Sequence, residues 1–305
     1  SDDGGPLTTV RVRRAFSSDH GVGWMLAAPG LALITLFGLI PIVWSAVLSF
    51  RQSNLLDPHE PWVGLDNYHR LIDDPLFHES VKHTLTYTAL FVPLSVIGAM
   101  FIAVALNRRI RFIRLYRTAV FVPVVASTIA TSIIFLVIFD PNYGLANWAL
   151  GGVGLGPYGF LQDPDQALYA VVALTLWGWL GFNVIIYLAA LQGIPTELVE
   201  AAAIDGASAW GTFRSVTFPL LGPTTLFLTV WSTITALQLF DEIYFLTKGG
   251  PLYSTYVVVY YVYDLAFQKG LAGYGAAVAY TLFVAILLLT ALQLAIGRRM
   301  VHYTS

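Results

Sequence analysis

Six long apolar stretches, separated by polar segments, dominate the pattern of residues along the chain. They cover residues 24–50, 84–106, 118–139, 168–191, 223–240 and 272–296, and none of them contains Asp, Glu, Lys, Arg or His. A helix needs about 20 consecutive apolar residues to cross the hydrocarbon core of a bilayer. The pattern therefore predicts an all-α polytopic membrane protein with six transmembrane helices.

Composition supports a membrane location and excludes several other functions. Of the 305 residues, 57% are apolar and 11% are charged, whereas a soluble domain carries about 25% charged residues. The net charge of −2 predicts no nucleic-acid partner. Because the chain has no cysteine, zinc–thiolate sites and cysteine nucleophiles are excluded. The first apolar stretch is too long to be the apolar region of a cleaved signal peptide.

The distribution of Arg and Lys predicts the orientation in the membrane, because cytoplasmic loops carry an excess of these residues. Of the 16 in the chain, 11 fall on the side of both termini and 5 on the other. We therefore expect a cytoplasmic tail at residues 1–23, a membrane domain at 24–296 and a cytoplasmic tail at 297–305. The cluster at residues 108–117 is interpreted as a topology anchor or, alternatively, as a site for anionic lipid. The 11 are Arg11, Arg13, Arg14, Arg108, Arg109, Arg111, Arg114, Arg117, Arg214, Arg298 and Arg299.

Two patterns that resemble enzyme motifs lack the required context. Residues 154–159 match G-x-G-x-x-G but follow an apolar stretch rather than a strand. His78 and His83 are five residues apart, whereas a zinc-protease pair needs a spacing of four. No phosphate-binding G-x-x-x-x-G-K-[ST] occurs, and no apolar stretch offers a nucleophile–base pair or a set of metal ligands. We expect a non-catalytic chain without a metal or cofactor of its own.

The apolar stretches also lack the ionisable residues that ion-coupled carriers use for a proton or ion relay. The nearest carboxylates, Asp241 and Glu242, follow the fifth stretch. This pattern favours transport driven by a partner outside the bilayer over an ion-coupled carrier, which remains the alternative from another class.

A polar segment at residues 193–219 separates the fourth and fifth stretches. Pro195 and Thr196 are suited to start a helix, and Glu197 favours its positive N-terminal end. Gly206 can adopt the left-handed conformation that closes a helix. The segment therefore predicts a helix of about nine residues, which is roughly 14 Å long at the usual rise per residue.

The second half of this segment predicts another short helix. It begins near Ser208, presents Trp210 and Phe213, and is expected to end at Pro219. The consecutive alanines at positions 201–203 give the first helix a slim face that a groove in another protein could approach closely.

This segment resembles the EAA loop in permeases of binding-protein-dependent ABC importers. The family pattern is Glu-Ala-Ala, three residues, Gly, nine residues and Ile-x-Leu-Pro; Val216 and Phe218 replace the Ile and Leu. Residues 200–208 look like the carbohydrate and glycerol-phosphate branch, as do residues 63–68, 240–241 and 247–251. The residues that match the pattern are Glu200, Ala201, Ala202, Gly206 and Pro219.

The resemblance implies a type I ABC importer permease fold in the inner or plasma membrane of a prokaryote, in contact with membrane lipid. It also implies a second homologous permease subunit, an extracytoplasmic solute-binding protein, and two cytoplasmic ATPase subunits that hold ATP and Mg. The EAA helix would lie in a cleft of an ATPase. The residues expected to contribute to this coupling are Glu200, Ala201, Ala202, Asp205, Gly206, Trp210, Phe213 and Pro219.

Polar and aromatic residues in the later stretches are candidates for the solute path. Amides both donate and accept hydrogen bonds, as recognition of hydroxyl groups requires, and indole rings can stack on a sugar ring. Packing between helices is the alternative role for each of them. The candidates are Asn183, Tyr187, Gln238, Trp177 and Asp241, with Trp179 beside Trp177.

Two long segments on the non-cytoplasmic side, residues 140–167 and 246–271, are expected to contact the binding protein. Gly249, Gly250 and Pro251 would form a turn that presents Tyr253 and the tyrosines at 256, 260, 261 and 263. Tyrosine is enriched at protein interfaces. The alternative is that residues 256–267 form a helix at the level of the lipid headgroups.

The solute itself is left open between a neutral sugar and a glycerol phosphate or phosphodiester. A phosphate would have to be bound by neutral donors or helix ends, because no apolar stretch contains Lys or Arg. This favours a sugar or a similarly polar neutral solute.

Overall fold

The computed structural model describes residues 19–54, 59, 61–108 and 111–300, with the backbone alone described at 19–22 and 298–300. Arg11, Arg13, Arg14 and Arg109 lie outside the described residues, as do most of the tails predicted at 1–23 and 297–305. The described part of the chain is almost entirely helical. These residues form no β-strand, and an isolated antiparallel bridge joins Arg51 and Trp62.

In the part of the chain that the structure describes, four helices are long and apolar enough to cross a membrane without a sharp bend. Span 1 contains a π-helical turn at Thr35–Leu39, and the helix of span 6 continues to Met300. These spans are Gly23–Ser49 (span 1), Pro75–Leu106 (span 2), Ala167–Gln192 (span 4) and Ala272–Gly297 (span 6).

Two further candidate spans consist of bent helix pairs, so that the described residues form six spans when each pair is counted as one. Span 3 is Ile113–Val125 with Thr128–Ile138, bent by 105°. Span 5 is Ala209–Leu220 with Gly222–Leu246, bent by 65° and broken again between Leu237 and Asp241. The all-α, six-span prediction is thus confirmed.

Short helices occupy the connections between the spans. The helix at Val258–Tyr263 continues as a π-helical turn at Asp264–Gln268. The others are Asp66–Asp73, Leu145–Gly151, a 3-10 turn at Phe160–Gln162, and Thr196–Ile204.

Span 2 lies at the centre of the bundle and packs most extensively against span 4 and span 5. Ala99 and Ala103 of span 2 are fully buried, because small residues let two helices approach closely in a membrane bundle. Span 1 differs: none of its most apolar window is buried within the chain. Its exposed apolar surface must face lipid or another subunit.

The bundle has two ends with different contacts. At the Leu106 end, Arg117 of span 3 donates to the carbonyl of Leu106 (3.1 Å). At the Asp74 end, Asp74 accepts hydrogen bonds from the backbone N–H groups of Leu76 (2.9 Å) and Phe77 (3.2 Å) and thereby caps span 2.

The helices extend beyond the predicted apolar stretches, so that their ends carry charged residues. Span 2 begins at Pro75 rather than at residue 84, and its first turns carry His78, Glu79, Lys82 and His83. Span 5 likewise continues through Asp241 and Glu242. A cap such as Asp74 lets a helix begin well before its membrane-embedded part.

Candidate functional site

The first helix of the predicted EAA loop, Thr196–Ile204, is nine residues long and has no buried residue. Gly206 has φ 81°. Its N–H donates to Ala203 O (3.1 Å), and the N–H of Ala207 donates to Ala202 O (3.0 Å). This pair of bonds forms a Schellman motif, which requires a left-handed residue at the position of Gly206. The predicted length and the predicted conformation of Gly206 are both confirmed.

The second helix begins where it was expected but ends later. The Ser208 hydroxyl accepts from the N–H of Gly211 (3.2 Å) and caps the helix. The prediction that Pro219 ends this helix is wrong, since helical structure continues to Leu220. The π-helical turn Phe213–Thr217 widens the backbone just before the proline. This widening accommodates a ring that would clash in a regular helix.

Phe213 connects this segment to the bundle. Its ring stacks on Trp210 with centroids 5.2 Å apart and lies 6.0 Å from the ring of Phe101 in span 2. Trp210 is 63% exposed. The loop therefore presents an exposed helix and an exposed indole outward, with an aromatic contact to span 2 behind them. The roles of Glu200, Ala201, Ala202, Asp205 and Pro219 in coupling stay predictions.

Two of the predicted solute-path residues take part in packing between span 4 and span 5. The amide of Asn183 donates to Ser232 Oγ (3.3 Å), and both residues are buried. The hydroxyl of Tyr187 donates to Thr225 Oγ1 (3.0 Å). These contacts give Asn183 and Tyr187 the packing role that was the alternative, and a role in the solute path stays a prediction.

The other three candidates line two adjacent cavities of about 170 Å³ and 210 Å³. We call these two cavities together the path cavity. It lies at the bend of span 3 and the break of span 5. Trp177 lines the first cavity, and Gln238 and Asp241 line the second. Residues that line both are Thr128, Trp179 and Glu242.

Glu242 also lines the path cavity, although it was not among the solute-path residues predicted from the sequence. Its helix, Asp241–Leu246, packs against the second half of span 3 and buries Glu242, Ile243 and Leu246. The sequence does indicate that Glu242 lies near a buried surface. Ile243 and Leu246 share one apolar face of this helix, and Glu242 lies next to that face. Tyr87 of span 2 also lines the second cavity and was not singled out.

The predicted binding-protein turn at residues 247–255 is held by its own hydrogen bonds. The Thr255 hydroxyl donates to Gly250 O (2.8 Å) and lies 2.7 Å from the Thr247 hydroxyl. Leu252 (φ 49°) and Tyr253 (φ 64°) adopt left-handed conformations and are 86% and 59% exposed. Such conformations are unfavourable for residues with a side chain and are often found at functional sites.

Three tyrosines expected to be displayed beside Tyr253 are instead buried. Tyr256, Tyr260 and Tyr261 are each at most 9% exposed. The hydroxyls of Tyr261 and of Tyr274 in span 6 donate to the Asp74 carboxylate. Asp74 draws these rings inward because its carboxylate can accept several hydrogen bonds. The prediction that Tyr256, Tyr260 and Tyr261 face the binding protein is therefore wrong, and the exposed residues of this turn are Lys248, Leu252 and Tyr253.

Hydrogen bonds at Asp74 also change its acidity. Burial by itself raises the pKa of this carboxyl, but the bonds from Tyr261, Tyr274, Phe77 and Leu76 outweigh burial and hold the pKa below its usual value. Asp74 is thus an ionised acceptor that joins span 2, the Val258–Tyr263 helix and span 6.

Comparison with known proteins places these features in a family. Residues 83–302 match the family described as the binding-protein-dependent transport system inner membrane component. The lactose transport system permease protein LacF of Rhizobium radiobacter is 39% identical over 89% of this chain and 92% of its own length. The trehalose/maltose permease protein MalF of Thermococcus litoralis is 33% identical, over 91% and 94%. The sn-glycerol-3-phosphate permease protein UgpA of Agrobacterium fabrum is 32% identical, over 92% and 96%.

The fold agrees with this family. A crystal structure of a bacterial ABC transporter involved in the import of the acidic polysaccharide alginate contains a chain that superposes with a TM-score of 0.80. The match covers 93% of this chain and 99% of that one at 24% identity. The chain is accordingly a multi-pass membrane protein and a non-catalytic permease subunit, and it belongs to the family of inner membrane components of binding-protein-dependent ABC transport systems.

Proposed function

We propose that the chain imports a sugar or a similarly polar neutral solute, together with a second permease subunit and two cytoplasmic ATPase subunits. The observation that carries this proposal is the exposed helix Thr196–Ile204, closed by Gly206. A helix with no buried residue at one end of a bundle is available to a partner protein. The names of LacF and MalF, which refer to lactose, trehalose and maltose, support a sugar.

The geometry supports a mechanical path from this helix to the solute. Movement of an ATPase that holds Thr196–Ile204 would reach span 2 through the contact between Phe213 and Phe101. It would reach span 5 through the bend near Leu221. Span 5 is broken again beside the path cavity, and discontinuous membrane helices often form the substrate sites of transporters. Opposite motions of span 2 and span 5 would open this cavity to alternate sides.

Two further features support the proposed assembly and orientation. Arg111, Arg114, Arg117 and Arg214 belong to the segments at the Leu106 end, which we assign to the cytoplasm. The exposed apolar surface of span 1 offers a contact for the second permease subunit.

A single cysteine in place of Ser208 tests the orientation and the docking of an ATPase together. We expect no labelling by an impermeant maleimide in intact cells, and labelling in inside-out vesicles after the ATPase is stripped off. Rebinding of the ATPase should slow that labelling about tenfold, because a buried interface excludes the reagent. The chain has no native cysteine to interfere. The matched control is Val153→Cys, an exposed position that should be labelled from outside; labelling of Ser208→Cys from outside would contradict the orientation.

We also propose that the turn containing Gly249, Gly250, Pro251 and Tyr253 contacts the binding protein. The strained, exposed pair of Leu252 and Tyr253 supports this proposal. The Tyr253→Ala substitution should lower stimulation of ATP hydrolysis by the loaded binding protein about fivefold, in the range of an interface hot spot. Basal hydrolysis should not change. Tyr253→Phe keeps the ring and should keep most of the stimulation, whereas full stimulation of Tyr253→Ala would assign the turn to another role.

The sn-glycerol-3-phosphate permease relative makes a phosphorylated solute the second candidate. Among the described residues that line the path cavity, none is Lys, Arg or His. A phosphate would therefore meet neutral donors and two carboxylates there. This arrangement supports the sugar over the phosphate.

A further inference from the structure

A buried carboxylate forms part of the wall of the path cavity. Glu242 is 8% exposed and lines both of its compartments. Trp179 lines the same two compartments. The neighbouring Asp241 is exposed and lines only the second compartment. A carboxylate at this depth is costly to bury, so its presence beside a cavity requires an explanation.

The other groups in the path cavity suit a polyhydroxylated solute. Gln238 offers an amide, and hydroxyls come from Thr128, Thr131 and Thr235. Indole rings come from Trp177 and Trp179. An ionised carboxylate accepts several hydrogen bonds and can bind two hydroxyls of one solute. Without a cation in the described wall, the same carboxylate repels an anion.

We propose that Glu242 sets the charge selectivity of the solute path, so that neutral or cationic polyhydroxylated solutes enter and solutes with a phosphate or carboxylate are disfavoured. This inference rests on the proposed function and specifies the class of solute. The physical basis is that charges interact more strongly in a partly buried cavity than in water. Carboxylates in a narrow pathway select cations over anions for the same reason.

The test compares two thiol reagents of similar size on a single cysteine in the path cavity. Thr128→Cys places the thiol at a position that lines both compartments. The assembled transporter in membrane vesicles is treated with a methanethiosulfonate that carries either a trimethylammonium or a sulfonate group. Modification of this chain is followed by mass spectrometry. The ratio of the cationic to the anionic rate is then compared with the same ratio at Val153→Cys, an exposed site.

We expect the ratio at Thr128→Cys to exceed that at Val153→Cys by about tenfold. Adding Glu242→Gln should return it to the ratio at Val153→Cys, and adding Glu242→Asp should preserve it. Asp241→Asn is the matched control and should have a smaller effect than Glu242→Gln. The vesicles are kept without a membrane potential, because such a potential would act on charged reagents at Thr128→Cys and at Val153→Cys to different extents.

Two results would overturn the proposal: a ratio at Thr128→Cys that Glu242→Gln does not change, or no modification by either reagent, which would show a cavity closed to water. Neither depends on the solute or on docking of the ATPase. If Ser208→Cys were labelled from outside while the rate ratio still followed Glu242, the proposed orientation would fail and the charge selectivity would stand.

Discussion

Replacing Gly206 by valine is expected to lower ATP-driven solute uptake by about tenfold or more while the spans remain folded. Gly206 has φ 81°, and a β-branched residue is strongly disfavoured in this conformation. A Cβ at this position would meet no atom within 4 Å, so the effect must come from the backbone. The chain would leave the left-handed conformation, break the Schellman motif and reorient Thr196–Ile204. Uptake and co-purification of the ATPase measure the two consequences.

Two control substitutions test whether the loss of uptake comes from the left-handed conformation at Gly206 rather than from replacing any glycine in this segment. Gly206→Asn should retain most of the uptake, because asparagine tolerates the left-handed region better than other residues with a side chain. Gly211→Ala lies in the next short helix, where an added Cβ would be 3.4 Å from Ser208 Oγ, and should be nearly neutral. Normal uptake and ATPase binding in Gly206→Val would contradict the proposed coupling role.

The second large effect is expected at Asp74, which joins three helices at one end of the bundle. Asp74→Ala removes the cap of span 2 and leaves two tyrosine hydroxyls without their acceptor. We expect the free energy of unfolding of the full chain in micelles to fall by about 3 kcal/mol, from one cap and two hydrogen bonds to a charged group. The matched control is Asp73→Ala, at the adjacent and exposed residue. This substitution should change the free energy of unfolding by less than about 0.5 kcal/mol.

The pH dependence of this effect has a definite sign. Hydrogen bonds lower the pKa of Asp74 in the folded chain, whereas an unfolded aspartate has a pKa of about 3.9. The stabilisation is therefore fully present above the unfolded value and is lost as the pH falls through the lower folded value. The difference in stability between the wild type and Asp74→Asn should be constant from about pH 5 to about pH 8 and should shrink below about pH 4. A difference that instead grew with acid would refute an ionised Asp74.

The order of residues along the chain was enough to predict the features that depend on interactions between sequence neighbours. Apolar stretches of bilayer length predict spans, because backbone groups in lipid must be satisfied within a helix. The nine-residue helix and its closing residue Gly206 could also be predicted, since both depend on interactions between neighbours in sequence. Both predictions rest on short-range chemistry that other helices do not alter.

The positions and partners of the polar side chains depend instead on contacts between helices that are distant in sequence. Asn183 and Tyr187 were candidates for the path, but contacts across spans 4 and 5 bring them to Ser232 and Thr225. Asp74 buries Tyr261 from a position 187 residues away along the chain. Glu242 borders the path cavity only because span 3 bends by 105° and packs against its helix. Composition cannot reveal such long-range pairings, since the free energy of a buried polar group depends on the partner that the fold supplies.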